Sequence, residues 1–548
     1  MIKPTSAVFS LVAFFLFACS GDKSKTKAPV FRYNESNGIS SLDPAYARDL
    51  ESMWACNQLF DGLLRLDSQL RVQPCLAKAY SLSMDGTEYT FTLRTDVFFH
   101  PDSCFGPSGT RRFKASDAVF SFQRILDQGT ASPGSWIFDA LAQPVDSAIF
   151  AINDSTLLIR LQQPFPAFPG LLTTQYANIV PKEAIASYGE DFRAHPIGTG
   201  PFKFAFWMED VALVFHRNAN YWEFDEKGNK LPYLEAVKID FVRDMNAEFM
   251  GLLKGDYDFM SGIHPSFKDE LLSPFGELNP VYTDRIRFQK VPFIKTDYIG
   301  ILVDPEIPLA RNHPIFDSRI RRAINLGIDR RKMVRYLRNN SVFPAESGFV
   351  PPGLPGFKAN QSSLSYKPDE ARRLLAEAGY PGGKGLPPIE IATTSDYVDI
   401  CEFIQHDLQI LGIPVEINVL PGGTHRELVA KSELLAFRKS WLADYADAGN
   451  FLGLFYSENF CPQGPNYTHF SDPDFDSLFL AAQKEPSDSL RNLLFARMDS
   501  IVTAQAPVIP LYYDQVSHFV RREISGLETN PINMLDLRRV RKASGINH

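Results

Sequence analysis

Cysteine is scarce, with six in 548 residues, and no two form a CxxC pair. That spacing excludes zinc ribbons and thioredoxin-like redox motifs. Histidine is thin as well: there are ten, and none has another four positions away, so the paired histidines of helical zinc sites are absent. No GxSxG, phosphate-binding loop or EF-hand loop occurs in the chain. Lys and Arg number 56 against 64 Asp and Glu, and the net charge of −8 argues against nucleic acid or an anionic membrane surface as partner. No later segment carries about 18 apolar residues in a row, the length a membrane-crossing helix needs. An enzyme, a metal site and a resident cofactor are all unexpected.

What is present is a folded composition, 45% hydrophobic and 22% charged, with 44 Phe. The length suits about three or four average domains, or one large protein of intertwined lobes. The first residues read as a targeting segment. Lys3 precedes an apolar run from Val8 to Phe17, too short to span a bilayer but right for a signal peptide. The run ends in Leu16-Phe17-Ala18-Cys19, which resembles a bacterial lipobox, whose cysteine is acylated after cleavage. Residues 1–18 are thus expected as signal peptide, with 19–29 as a tether anchored through Cys19. The other cysteines, Cys56, Cys75, Cys104, Cys401 and Cys461, are expected mostly as buried free thiols.

Several elements follow from periodicity. TEYTFTLR, Thr87 to Arg94, alternates Tyr89, Phe91 and Leu93 with threonines, as a half-buried strand does. PDEARRLLAEA, Pro368 to Ala378, predicts a helix with Pro and acids in its first turn and Gly379 as its stop. Gly198-Thr199-Gly200 reads as a tight turn before a strand at Phe202. From Ile389 to Trp441 the pattern alternates. Ile389–Ile391 is a strand, Val398–Leu411 a helix, Val415–Val419 a strand, His425–Leu435 a helix and Phe437–Trp441 a strand. Such a β-α-β-α-β run predicts parallel strands joined by right-handed crossovers. Ligands of open parallel sheets gather beyond the carboxyl ends of the strands. Asp444 stands just past the third strand, in SWLADYADAGNFL, among Trp441, Tyr445 and Phe451. A carboxylate among aromatics needs a cationic or hydrogen-bonding partner. Asp447 reads as a helix N-cap.

Taken in order, the motifs carry a resemblance. SLDPAYARDLESMWACNQLFDGLLRLD (Ser41 to Asp67), KASDAVFSFQRIL (Lys114 to Leu126), PIGTGPFKF with RNANYW (Pro196 to Trp222), HPIFDSRIRRAINLGIDRRKMV (His313 to Val334), YKPDEARRLLAEAGYP (Tyr366 to Pro381) and APVIPLYY (Ala506 to Tyr513) resemble the bacterial extracellular solute-binding proteins of family 5. The resemblance covers nearly the whole mature chain. It implies an α/β class II periplasmic-binding-protein fold, two lobes with a hinged ligand cleft, plus an extra family-specific domain. By analogy, domain I is 30–62, 196–290 and 509–548, domain II is 63–195 and domain III is 291–508, with hinge crossings near Lys290 and Ile509.

The implied role is a monomeric ABC-importer receptor in the periplasm or at the cell surface. It would capture di- to oligopeptides and deliver them to permease subunits. Relatives of the same fold take oligosaccharides, opines, haem or metal chelates, which is the alternative. In peptide-binding members the position of Asp444 pairs with the peptide α-ammonium. The main chains of Ser440, Leu442 and Leu50 match positions that bond the peptide backbone, and Trp441 and Tyr445 would wall the cleft. Some positions depart from the pattern. Gly134 replaces a tyrosine after TASP, with Trp136 two residues on. Arg48 replaces an acid. TTSDYVDI, Thr393 to Ile400, lacks the arginine of dipeptide binders, and Ala448 replaces a proline.

Overall fold

Two long strands organise the molecule. Ile286–Ile301 and Val508–Arg521 run antiparallel in the middle of an 11-stranded sheet. The computed structural model describes residues 29–264, 267–359 and 363–543. The expected signal segment and Cys19 lie outside the described residues. From edge to edge the main path runs Val415–Val419, Ile389–Thr393, Ala436–Leu442, Ile286–Ile301, Val508–Arg521, Phe259–Ser261, Val30–Asn34, Ala236–Asp240, Ala212–Arg217 and Phe202–Met208. The pairing of the two long strands shifts register between Pro292 and Thr296, and again between Asp297 and Tyr298. Proline cannot donate to a ladder, so the break falls where the chain holds Pro292.

The apolar side chains divide on either side of that break. One cluster joins Phe31, Tyr33 and Trp54 to Phe91, Phe122 and Phe168, so the N-terminal segment and residues near 63–195 share one core. Within it a four-stranded antiparallel sheet, Ala77–Leu82, Glu88–Leu93, Thr156–Arg160 and Ile149–Asn153, packs beside the helix Ala115–Leu126. Two other clusters build the second lobe. One gathers Ile299, Ile324, Ile391 and Leu511, and the other gathers Tyr298, Phe349, Phe451 and Phe495. Ile509 pairs with Ile299 and packs in the former. The result is a two-lobed α/β protein whose lobes are bridged by shared strands.

The periodic segments form as their patterns require. Tyr89, Phe91 and Leu93 are buried on the strand Glu88–Leu93. The helix Pro368–Glu377 buries Ala371, Leu374 and Leu375, and Gly379 follows at φ +92°. Gly198 and Gly200 lie against the end of the helix Leu50–Leu59. A Cβ on either would come within 2.4 Å of the Leu59 backbone. Ile389–Thr393 pairs in parallel with Val415–Val419 and with Ala436–Phe437, as the β-α-β-α-β pattern predicts. The second crossover helix is displaced from its expected span, running Gly422–Ala430 rather than 425–435. Ser432, at φ +57°, turns the chain out of the helix, and Leu434 and Leu435 are buried on the way into the next strand. The five cysteines within the described residues are free thiols, four of them buried.

Candidate functional site

The site begins with a strand that outruns its neighbour. Ala436–Leu442 pairs along its length with Ile286–Ile301, from Ile301↔Ala436 to Lys295↔Leu442. On its other edge only Ala436 and Phe437 meet the strand Ile389–Thr393. From Arg438 onward that edge has no strand beside it among the described residues. Alternation decides which groups face the gap, because both backbone polar groups of one strand residue point to the same side. The Leu435 carbonyl accepts from Leu302 (2.9 Å), and the Ala443 N–H donates to Ile294 (3.1 Å). Odd-numbered residues therefore face the long strand. Ser440 and Leu442 direct their N–H and C=O toward the open edge.

Asp444 follows directly. It is exposed and forms no ion pair among the described residues. Burial pushes its pKa up, opposed in part by the Asn450 amide. The carboxylate thus sits in a recess: water reaches it, yet protein surrounds it. Asn450 sets its position. The Asn450 amide donates to Asp444 Oδ2 (3.0 Å), and its Oδ1 accepts from the Asp444 backbone (3.2 Å) and from Trp441 Nε1 (2.8 Å). Trp441 is half-buried against the aromatic cluster of the second lobe.

Asn450 is fixed in turn by the helix Ala448–Leu452. Asp447 caps that helix, accepting from Gly449 N (2.7 Å). Both Asp447 oxygens also receive the buried guanidinium of Arg491, at 2.5 and 3.0 Å. Asp444 and Asp447 therefore have separate jobs, one unpaired at the surface and the other locked into the fold. Asn450→Ala should weaken ligand binding roughly threefold to thirtyfold, the worth of one or two hydrogen bonds, with the fold intact. Calorimetric titration checks this, and an unchanged affinity would mean that Asp444 is held some other way.

Across the cleft stand aromatic groups of the first lobe. The rings of Trp136 and Tyr445 are 6.1 Å apart between centroids. Tyr176 lies over Gly134, where a Cβ would come 2.2 Å from the ring. A tyrosine from elsewhere in the chain thus occupies the space beside residue 134. Gln175 donates to the Ala47 carbonyl (2.8 Å), tying this segment to the loop before Leu50. Leu50 opens the helix Leu50–Leu59, whose N-cap Asp49 accepts from Ser52. In a first turn the Leu50 N–H has no acceptor inside the helix. Arg48, just before it, is exposed and has no ion-pair partner among the described residues. Burial raises the Tyr176 hydroxyl pKa; of the charges acting on it, Asp444 pushes it up and Arg48 pulls it down.

At the other end of the open edge, Arg438 lies face-on to the Tyr397 ring at 3.2 Å and pairs with the buried Asp297. Lys295 bridges Asp297 (3.4 Å) and Asp514 (2.7 Å). Tyr397, Lys295 and Asp514 line a cavity of about 650 Å³ that Ser261 and Gly262 of the first lobe also border. That volume is in the range of small-ligand sites. Asn450, Arg491, Tyr176 and the Arg438–Asp297 pair are not foreseen in the sequence.

A two-lobed α/β protein with a polar strand edge exposed between its lobes is a ligand-binding receptor in design. Residues 71–460 match the family model described as bacterial extracellular solute-binding proteins, family 5 Middle, and the chain belongs to that family. Its members bind solutes rather than transform them. The glutathione-binding protein GsiB of Salmonella choleraesuis is 26% identical over 501 residues, 90% of this chain and 91% of that protein. Among solved structures, the unliganded open form of the periplasmic murein tripeptide-binding protein MppA superposes with TM-score 0.79 at 24% identity, covering 94% of this chain and 98% of the other. DppA from Helicobacter pylori, in complex with the peptide STSA, superposes at 0.71 with 25% identity over 94% and 98%.

Proposed function

We propose that this protein is the extracytoplasmic receptor of an ABC importer and captures peptides between its lobes. The observation that carries the reading is the unpaired edge from Arg438 to Leu442, running directly into an unpaired carboxylate. A peptide added along that edge bonds the main chains of Ser440 and Leu442 as an extra strand. Its ammonium meets Asp444, which lies past the carboxyl end of the strand, so the peptide runs antiparallel to it. Neither interaction reads side chains, as suits a receptor for many peptides. The open edge is about 14 Å long at 3.4 Å per residue, room for roughly four or five peptide residues. Leu50 adds a backbone donor, and Trp136, Trp441 and Tyr445 form walls. Closure around the ligand is a rigid-body movement of the lobes about the irregular pairing near Pro292. We further propose attachment to the membrane through acylated Cys19, monomeric function and release to permease subunits. These three points rest on the sequence and on what is usual for such receptors.

A second reading is favoured by Arg48. The cleft offers a free cation as well as the Asp444 carboxylate. A ligand with an anion close to its ammonium satisfies both. The γ-glutamyl group of glutathione, for which GsiB is named, has this character, and so do amino-acid conjugates that are not peptides. The deciding experiment is to purify the protein lacking Cys19, denature it and identify what is released by mass spectrometry. Short peptides are the expected result. Glutathione or another γ-glutamyl compound, or a single amino-acid conjugate that is not a peptide, would transfer the site to the second reading. An empty protein that ignores both a peptide library and γ-glutamyl compounds would overturn both.

A further inference from the structure

Away from the ligand edge, the second lobe holds a cysteine, a histidine and an aspartate in contact. His469 Nδ1 lies 2.7 Å from Asp304 Oδ2, and its Nε2 lies 3.3 Å from Cys461 Sγ. The Ser432 hydroxyl touches both, 2.9 Å from the imidazole and 3.2 Å from the sulfur. The order thiol, imidazole, carboxylate is that of an activated nucleophile: the acid fixes the tautomer and the ring nitrogen takes the thiol proton. The geometry is held from behind. Phe460 stacks flat on the imidazole, with centroids 4.5 Å apart. Asn466, fully buried, donates to the Tyr456 and Phe470 carbonyls (3.1 and 2.9 Å) and pins the loop that carries Cys461 and His469.

The other described cysteines have no such surroundings. Burial raises the thiols of Cys56 and Cys75, and pushes Cys401 up to about 11 and Cys104 up to about 12. The Cys461 thiol moves the opposite way. Burial opposes its ionisation, but hydrogen bonds from His469 and Ser432 and the imidazolium charge outweigh it. His469 rises to about 9, chiefly through its bond to Cys461, helped by Asp304. Cys461 is 4% exposed, and the chain comes to the surface at its neighbours Pro462 and Gln463.

We propose that Cys461 is an activated thiol, open to thiol–disulfide exchange with small-molecule disulfides, with His469 as its base and Asp304 as the residue that positions the imidazole. The thiolate attacks one sulfur of the disulfide RSSR. The S–S bond breaks and Cys461 becomes a mixed disulfide. The displaced RS⁻ leaves as RSH with the proton that His469 holds. Cys461 is oxidised and one R sulfur is reduced. Nothing in peptide capture requires this group. The same loop supports the ligand strand, however, since Lys439 Nζ sits 4.2 Å above the ring of Tyr467.

The test is alkylation of the full folded chain with iodoacetamide across pH 5.5 to about 9, with adducts located by peptide mass spectrometry so that each cysteine is scored separately. A parallel sample is treated with oxidised glutathione. Cys461 should react at least about tenfold faster than Cys104 at neutral pH, and its rate should begin to fall at a lower pH than that of an ordinary thiol. Oxidised glutathione should modify Cys461 first. His469→Gln should return the rate to that of an ordinary thiol, and Asp304→Asn should do so in part. Equal rates for Cys461 and Cys104 in the unmutated chain would overturn the proposal without reference to any variant. So would a pH profile unmoved by His469→Gln in a protein that keeps its melting temperature.

Discussion

Asp444→Ala should abolish most peptide binding, with a loss of about 2–5 kcal/mol, the usual cost of removing one partner from an enclosed charge pair. That is roughly thirtyfold to a few thousandfold in Kd at 25 °C. Among the described residues, no other acid offers a free carboxylate at the end of the open strand edge. Asp447 is committed to Arg491 and to the helix it caps. Titration calorimetry with an unblocked peptide and its N-acetylated form checks the claim. The unmutated protein should discriminate strongly between the two, and the variant should not. Equal binding of the free peptide by both proteins would refute the ammonium assignment.

The same residue sets a pH dependence. Burial holds the Asp444 carboxyl above its usual range in the free protein. Its ionised form is the one that binds an ammonium. Affinity should therefore fall on acidification, beginning above the ordinary aspartate range, and stay level from there toward neutral pH. The sign for stability is opposite. A carboxyl whose pKa is raised by folding binds its proton more tightly in the native state, so ionising it as pH rises lowers stability. Asp444→Asn should then be at least as thermostable at pH 7 as the parent when no ligand is present. A lower melting temperature would mark Asp444 as a structural residue.

The second large effect is on folding. Arg491→Ala leaves Asp447 buried without its cation, and the expected loss is about 3–5 kcal/mol. The guanidinium also stacks over Phe495, 4.7 Å from the ring centroid, and donates to the Ala482 carbonyl (3.1 Å), so packing is lost too. Urea unfolding followed by a probe in the second lobe measures the loss. Asp447→Asn combined with Arg491→Met should recover part of it, because no lone charge is then buried. A loss under about 1 kcal/mol would show that water reaches the pair. Ligand affinity should drop with stability in Arg491→Ala, since the capped helix carries Asn450 and Asn450 holds Asp444.

Much of this was written locally. The strand Glu88–Leu93, the helix Pro368–Glu377 and the β-α-β-α-β run follow from side chains two, three or four positions apart, the distances over which a strand or helix decides its faces. The cap at Asp447 is local as well. The helix after Pro421 starts earlier than its periodicity predicts because Gly422 and Gly423 are poor helix formers, yet the crossover places them in its first turn. The position of Asp444 beyond a strand end was legible because it depends only on where that strand stops.

What the order of residues could not show is everything that depends on a partner far along the chain. Arg491 lies 44 residues from Asp447, and Asp304 lies 165 from His469. No periodicity joins such pairs; they meet because separate apolar clusters pack the elements that carry them. The open strand edge is of the same kind. By itself the sequence determined that Phe437–Trp441 would be a strand and that Asp444 would follow it. Only the tertiary structure decided the register, which sets Ala392 opposite Phe437 so that the neighbouring strand ends short of Ser440, and this leaves the backbone of Ser440 and Leu442 free because a hydrogen-bond ladder extends no further than the shorter of its two strands.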